Sequence, residues 1–489
     1  MFSKILKGTF VLTLSGIISK LIGFYYRIFL SDVIGANGVG IYQMIMPILG
    51  LFAALGSAGV EVAMSKSIAS AKSKKEVYTK YKTGIIYAII ASVFSSILLL
   101  LSIPLICRFF VSGATAKSLL YISIPVLPLM SIHSAIVGYY LGLKKSTIPG
   151  LCICIENISK LIFMIIFAKI VTRLNIEPTP VLAVISMLLS ELVSSVYLIF
   201  YLKKEGFSKF KGYRFGLKKE FRDFFKLAMP ISTTRILLSL IHSIEALIVP
   251  VFLVFYGLSE ADAVSIFGIM VGMSMPFIMF PSAITNALSA MLLPSVSEAA
   301  SNNNISLISK TASTALKYCM SMGIFFAFFF IVNGGDLGYL FFKNTLAGEY
   351  LRILAWLCPF IYVEMTLSSI INGFGLTKTT LIYNIITASL RIIFIIFFVP
   401  LYGIVGYLWG VLASEITGTL LNLIKANKIC HLSYSLKDNL IKPLLTTILA
   451  ICFSVSLRYL IDGINIFPNI LTFILSAGLS IVVYIVLML

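Results

Sequence analysis

Apolar residues occupy this chain in long blocks, separated by short stretches in which basic residues collect. The blocks fall at about 9–30, 39–60, 84–107, 118–142, 147–170, 180–202, 225–255, 263–290, 312–333, 349–374, 378–399, 403–424, 439–460 and 466–488. A helix needs about 20 apolar residues to cross the hydrocarbon of a bilayer, and each block supplies about that many. The strict period-two alternation of a lipid-spanning β-barrel is absent. The pattern therefore predicts an all-α integral membrane protein with about 14 transmembrane helices. The first block is too long for a signal peptide and carries Lys20 and Arg27, so it is expected to stay in the protein as a span.

Composition agrees with this picture. A mean hydropathy of +1.03, with 59% hydrophobic and 12% charged residues, excludes a soluble globular chain. The net charge of +19 raises the possibility of a nucleic-acid partner, but its distribution gives another reading. Most Lys and Arg residues fall in alternate loops, notably Lys66, Lys72, Lys74, Lys75, Lys80 and Lys82, and again from Lys203 and Lys204 through Lys218, Lys219 and Arg222 to Lys226. That is the positive-inside bias of a cytoplasmic-membrane protein, with both termini in the cytoplasm. The basic loops then face anionic headgroups, and no nucleic acid is needed. The 7 cysteines are scattered, with no zinc or disulfide spacing.

The longest polar segment, about 203–224, is too short for a catalytic or nucleotide-binding domain, and no phosphate-binding loop motif occurs. The chain also repeats. Gly142–Thr147 (GLKKST) recurs as Gly375–Thr380 (GLTKTT), each joining two spans and each followed by a helix with a cation in it, Lys160 or Arg391. An offset of six spans keeps both halves in the same orientation. The expected organisation is two six-helix lobes plus two C-terminal helices: 1–202, a basic cytoplasmic linker at 203–224, 225–425, and 426–489. Pro125, Pro128, Pro230, Pro250, Pro276 and Pro281 each remove a backbone hydrogen bond from a span, marking kinks or hinges.

The candidate chemistry lies in charges placed within the apolar blocks: Lys20, Arg27, Lys160, Arg235 and Arg391, with Glu61, Glu156, Glu191, Glu245, Glu364 and Glu415. Each would cost about 2.5–3.5 kcal/mol facing lipid at the bilayer centre, so most are expected to face a polar cavity or one another. Lys20 and Arg27 are seven residues apart and share a helix face, as do Arg235 and His242, with Glu245 one turn on. Glu156 and Lys160 have the (i, i+4) spacing of an ion pair. The three histidines fall in separate contexts, and no paired-carboxylate spacing suits acid–base catalysis. The chain is not expected to be an enzyme, and no catalytic residue, metal site or cofactor is assigned.

Several strings in order carry a family resemblance: Ser19–Arg27 (SKLIGFYYR), Ile34–Gln43 (IGANGVGIYQ), Ser57–Lys66 (SAGVEVAMSK), Phe280–Ile284 (FPSAI) and Leu293–Ala299 (LPSVSEA). Together they resemble the stage V sporulation protein B family, polysaccharide-type exporters of the multidrug/oligosaccharidyl-lipid/polysaccharide superfamily related to MurJ-type flippases. The resemblance implies a flippase that moves a lipid-linked cell-wall or polysaccharide precursor, with lipid II for spore cortex peptidoglycan as the expected cargo, by alternating access of the two lobes. It implies cavity cations for the pyrophosphate, here Lys20, Arg27 and Arg235. Glu61, His242, Glu245, Glu156, Lys160, Glu364 and Arg391 are the cavity or gating polar residues. Its partners would be the lipid-linked substrate and membrane lipids, with the protein acting as a monomer and driven by a coupling ion of unspecified identity. Two departures stand out. Val137–Leu143 (VGYYLGL) lacks the Arg and Gln common in the family's fourth span, and Val60-Glu61 replaces an apolar residue and proline. A cation-coupled multidrug exporter of the same superfamily is the alternative. A membrane enzyme acting on polyprenyl-linked sugars is the third reading.

Overall fold

The computed structural model describes residues 2–57, 59–109, 114–204, 217–302, 304–464 and 469–488. Among these every regular element is helical: α1 (Phe2–Ser57), α2 (Val60–Ala69), α3 (Lys74–Phe109), α4 (Ala114–Ser123), α5 (Val126–Gly142), α6 (Thr147–Arg173), α7 (Val181–Lys204), α8 (Leu217–Phe255) and α9 (Glu260–Gly268). The series continues with α10 (Met275–Met279), α11 (Ser282–Ser301), α12 (Ile305–Phe342), α13 (Thr345–Leu354), α14 (Cys358–Gly373), α15 (Thr377–Tyr402), α16 (Ile404–Cys430), α17 (Lys442–Ile464) and α18 (Asn469–Met488). Short π-helical turns at Ile269–Ser274 and Lys437–Ile441 precede α10 and α17.

Among the described residues, thirteen helical stretches are long and apolar enough to cross a membrane. The sequence pattern predicts fourteen, and the difference lies in α1. Unbroken, its 56 residues would extend roughly 84 Å at 1.5 Å per residue, far beyond a hydrocarbon core of about 30 Å. The helix breaks instead at Gly35, whose φ of 66° and ψ of 178° suit glycine and strain any side chain. Its two arms hold the first two apolar blocks. The protein is thus a multi-pass integral membrane protein of the cell membrane.

The prolines mark further breaks. Pro125 caps α5 where the fourth block divides into α4 and α5, Pro276 opens α10 and Pro281 caps α11. Pro230 and Pro250 remain inside α8.

The chain forms two compact units, Met1–Gly268 and Ile269–Leu489. In the first, α6 lies along the first arm of α1, with Gly150 near Ser15 and Cys154 near Ser19. Tyr139 and Tyr140 of α5 anchor an apolar core shared by α2, α3, α5, α7 and α8. The helix α8 runs antiparallel to the second arm of α1, where Ser243 donates to the Pro47 carbonyl at 2.7 Å. That packing groups α8 and α9 with the first six spans, so the compact unit extends past the basic stretch expected as a linker. Residues 205–216 of that stretch lie outside the described ones.

In the second unit, α15 and α16 form an antiparallel hairpin turned at Gly403, and α14 lies beside α16. The C-terminal helices dock onto α12: Tyr484 donates to the Ser321 carbonyl at 2.8 Å and its ring stacks on Phe325 at 4.5 Å. Arg458 of α17 pairs with Asp336 at 2.6 Å.

The loop charge bias carries a testable orientation. A single reporter cysteine at Ser73 is expected to react with a membrane-impermeant thiol reagent only from the cytoplasmic side, and one at Ser259 only from outside. Both positions are exposed. Reversed accessibility at either one refutes the orientation.

Candidate functional site

Three helices of the first unit place a buried acid–base group. Cys152 on α6 meets the Ser194 carbonyl of α7, and Met164 meets Ser186, so α6 and α7 are antiparallel. Against them α5 presents His133, whose Nδ1 lies 3.0 Å from Glu191 Oε1 and 3.1 Å from Ser194 Oγ. Its Nε2 faces Cys152 Sγ at 3.7 Å. Glu156 completes the group: one ligand atom from each of His133, Glu156 and Glu191 lies within 4.8 Å of the others. Two ionised carboxylates at that separation repel by roughly 3–4 kcal/mol at an effective dielectric of about 20. The arrangement is suited to accept positive charge, on the imidazole, as a proton or as a bound cation.

The (i, i+4) pair expected between Glu156 and Lys160 does not form; among the described residues no ion pair joins them. The Lys160 ammonium sits 4.7 Å over the Tyr26 ring instead. Residues four apart on a helix differ in direction by about 40°. That divergence turns Glu156 toward His133 and Glu191 while Lys160 reaches α1. The pairing of His133 with Glu191 joins positions 58 apart in the chain, and no local pattern in the sequence signals it.

The second unit holds a corresponding group on α14, α15 and α16. Arg391 reaches Glu415 at 3.3 Å and Ser414 at 3.2 Å. Asn422 donates to Glu364 at 3.4 Å. A Cβ at Gly418 would lie 2.7 Å from a Glu364 carboxylate oxygen, so glycine is what lets that side chain lie against α16. The turns Gly142–Thr147 and Gly375–Thr380 lead into α6 and α15, the middle helices of the two groups. Each group therefore contains two glutamates and one basic side chain, contributed by three helices related through the sequence repeat.

The remaining charges divide by accessibility. Glu191 and Glu245 are buried, and Glu61, Glu156, Glu364, Glu415, Lys160 and Arg391 are half-buried. Glu245 contacts His242 at 3.7 Å, and the His242 side chain is 60% exposed. Lys20, Arg27 and Arg235 are exposed, and none of the three is in an ion pair with a described acid. Of the eleven charges singled out in the apolar blocks, the exposed ones are all cations, and the six glutamates are buried or half-buried.

Comparison with known proteins follows the same lines. The model of a family described as polysaccharide biosynthesis protein matches residues 5–299, and the MatE model matches residues 230–397. Stage V sporulation protein B of Bacillus subtilis (strain 168) is 23% identical over 444 residues, covering 88% of this chain and 85% of that protein. Lipid II flippase MurJ of the same organism is 21% identical over 491 residues, covering 94% and 88%. Among solved structures, lipid II flippase MurJ in an inward closed conformation aligns with a TM-score of 0.73 at 18% identity over 98% of both chains. An inward-facing multidrug resistance MATE family transporter of the MOP superfamily aligns with a TM-score of 0.65 at 16% identity over 87% of this chain and 100% of its own. The fold is that of this all-α transporter group.

Proposed function

The chain belongs to the polysaccharide biosynthesis protein family, and from that premise we propose that it flips a lipid-linked, pyrophosphate-bearing precursor across the cytoplasmic membrane. The cargo is a cell-wall or polysaccharide precursor, with lipid II favoured by the named flippase among its relatives. The division of charge by accessibility carries the reading. Of the eleven charges singled out within the apolar blocks, the exposed ones are Lys20, Arg27 and Arg235, while the six glutamates are buried or half-buried. A pyrophosphate carries about two negative charges and is recognised by charge-assisted hydrogen bonds from such cations. A site for cationic drugs would present the acids instead, which weighs against the multidrug alternative. The lipid II flippase and the multidrug resistance MATE transporter among the matches are named for transport, and this weighs against an enzyme acting on polyprenyl-linked sugars.

The coupling ion is assigned to His133, Glu156 and Glu191. Their counterparts around Arg391 have a permanent cation in place; an imidazole can leave its two carboxylates open to an exchangeable proton or cation. Cargo binding to one of two alternating conformations more tightly than to the other would bias the transport cycle. Movement of lipid-linked precursor by the purified protein in proteoliposomes, set against transport of a cationic dye, tests the reading.

A further inference from the structure

A cavity of about 650 Å³ opens in the second unit between the start of α12 and the connection from α16 to α17. Its size falls in the range of ligand sites, about 300–1,000 Å³. One wall is a polar stripe on α12: Ser306, Ser309, Lys310, Ser313, Thr314 and Lys317. These positions follow the i, i+3, i+4, i+7 spacing of one helix face, and Lys310 and Lys317 differ in direction by only about 20°. The opposite wall is fixed to this stripe. Ser309 donates to the His431 carbonyl at 2.7 Å, and the Ser433 amide donates to Ser313 Oγ at 2.9 Å.

The charge of the cavity is lopsided. Lys310 and Lys317 line it against Asp438, the acidic residue among its lining. Neither lysine is in an ion pair with a described acid. Hydroxyls surround the cations, giving the mixture of point charge and neutral donors that phosphate oxygens accept from. Exposed Leu307, Tyr434 and Leu436 lie in the same segments, and the basic loops assign this end to the cytoplasmic membrane surface.

We propose that this cavity binds a phosphate-bearing group at the cytoplasmic end of the second unit. The group could be supplied by a lipid headgroup or by a free phosphate compound, and two probes distinguish these sources. The reference is full-length protein with Lys20, Arg27 and Arg235 already replaced by glutamine, so that the cargo cations do not take up the probe. In neutral detergent it and the variants made on it are titrated with inorganic pyrophosphate by calorimetry and with phosphatidylglycerol by native mass spectrometry. The expected result is saturable binding of at least one probe. A Lys310→Gln/Lys317→Gln variant should weaken it at least tenfold, and Lys310→Arg/Lys317→Arg should retain it. A Lys74→Gln/Lys75→Gln variant removes equal charge from another basic loop and should bind like the reference. Phosphatidylglycerol binding alone assigns the site to a headgroup; pyrophosphate binding assigns it to a free phosphate compound. Millimolar concentrations of both probes without binding, or equal binding by the Lys310→Gln/Lys317→Gln variant, overturn the proposal.

Discussion

Replacing Lys20, Arg27 and Arg235 together by glutamine is expected to abolish precursor translocation while the protein still inserts and purifies as a folded species. Each is exposed and free of an acid partner among the described residues, so its loss leaves no buried carboxylate stranded. Substitutions at such positions usually change stability by only about 0.5 kcal/mol. Their value to the cargo is larger. A hydrogen bond to a charged group contributes roughly 1.5–3 kcal/mol, so each single variant should weaken binding of a polyprenyl pyrophosphate about 10- to 150-fold. Binding measured in detergent, beside the thermal unfolding midpoint of the same preparations, separates the two effects. A triple variant that binds the pyrophosphate as tightly as the unaltered protein removes these cations from the cargo site.

Arg391→Leu is expected to act the opposite way, through folding. It would leave Glu364 and Glu415 together without the guanidinium that now reaches Glu415 at 3.3 Å. Removing one partner of a fully buried pair costs about 3–5 kcal/mol, and this half-buried pair should lose part of that. A lower unfolding temperature in detergent should reveal it, and adding Glu415→Gln should recover part of the loss. Equal stability of Arg391→Leu and the unaltered protein contradicts a structural role for that network. Glu191→Gln in the first unit should instead leave cargo binding intact and abolish the dependence of transport on an ion gradient, if His133, Glu156 and Glu191 hold the coupling ion. Unaltered gradient dependence in that variant removes the assignment.

Much of this was legible from residue pattern. Apolar length alone locates the spans, because lipid leaves a crossing backbone few choices other than a continuous helix. The isolated charges stand out for the same reason, since each is costly there. What the pattern could not resolve depends on neighbours distant in sequence. Gly35 looks like any loop glycine until its positive φ is seen to join two arms of one helical stretch. Glu191 has no nearby cation, and its partner His133 comes from a different helix. The spacing of Glu156 and Lys160 suggested a pair, but contacts with α5, α7 and α1 draw them apart. The compact units divide at Gly268, within an apolar block, because α8 and α9 pack against α1. Accessibility of the charges, on which the proposed anionic cargo rests, is a tertiary property and leaves no periodic trace in the chain.

The most direct measurement of the central claim is translocation in proteoliposomes that contain the purified protein and a fluorescent lipid-linked pyrophosphate precursor. A membrane-impermeant quencher added outside reports how much of the label has moved between leaflets. The account predicts rapid exchange with the unaltered protein, background exchange with the Lys20, Arg27 and Arg235 triple variant, and no competition by cationic dyes. Background exchange by the unaltered protein, together with active transport of a cationic dye by the same vesicles, would contradict it.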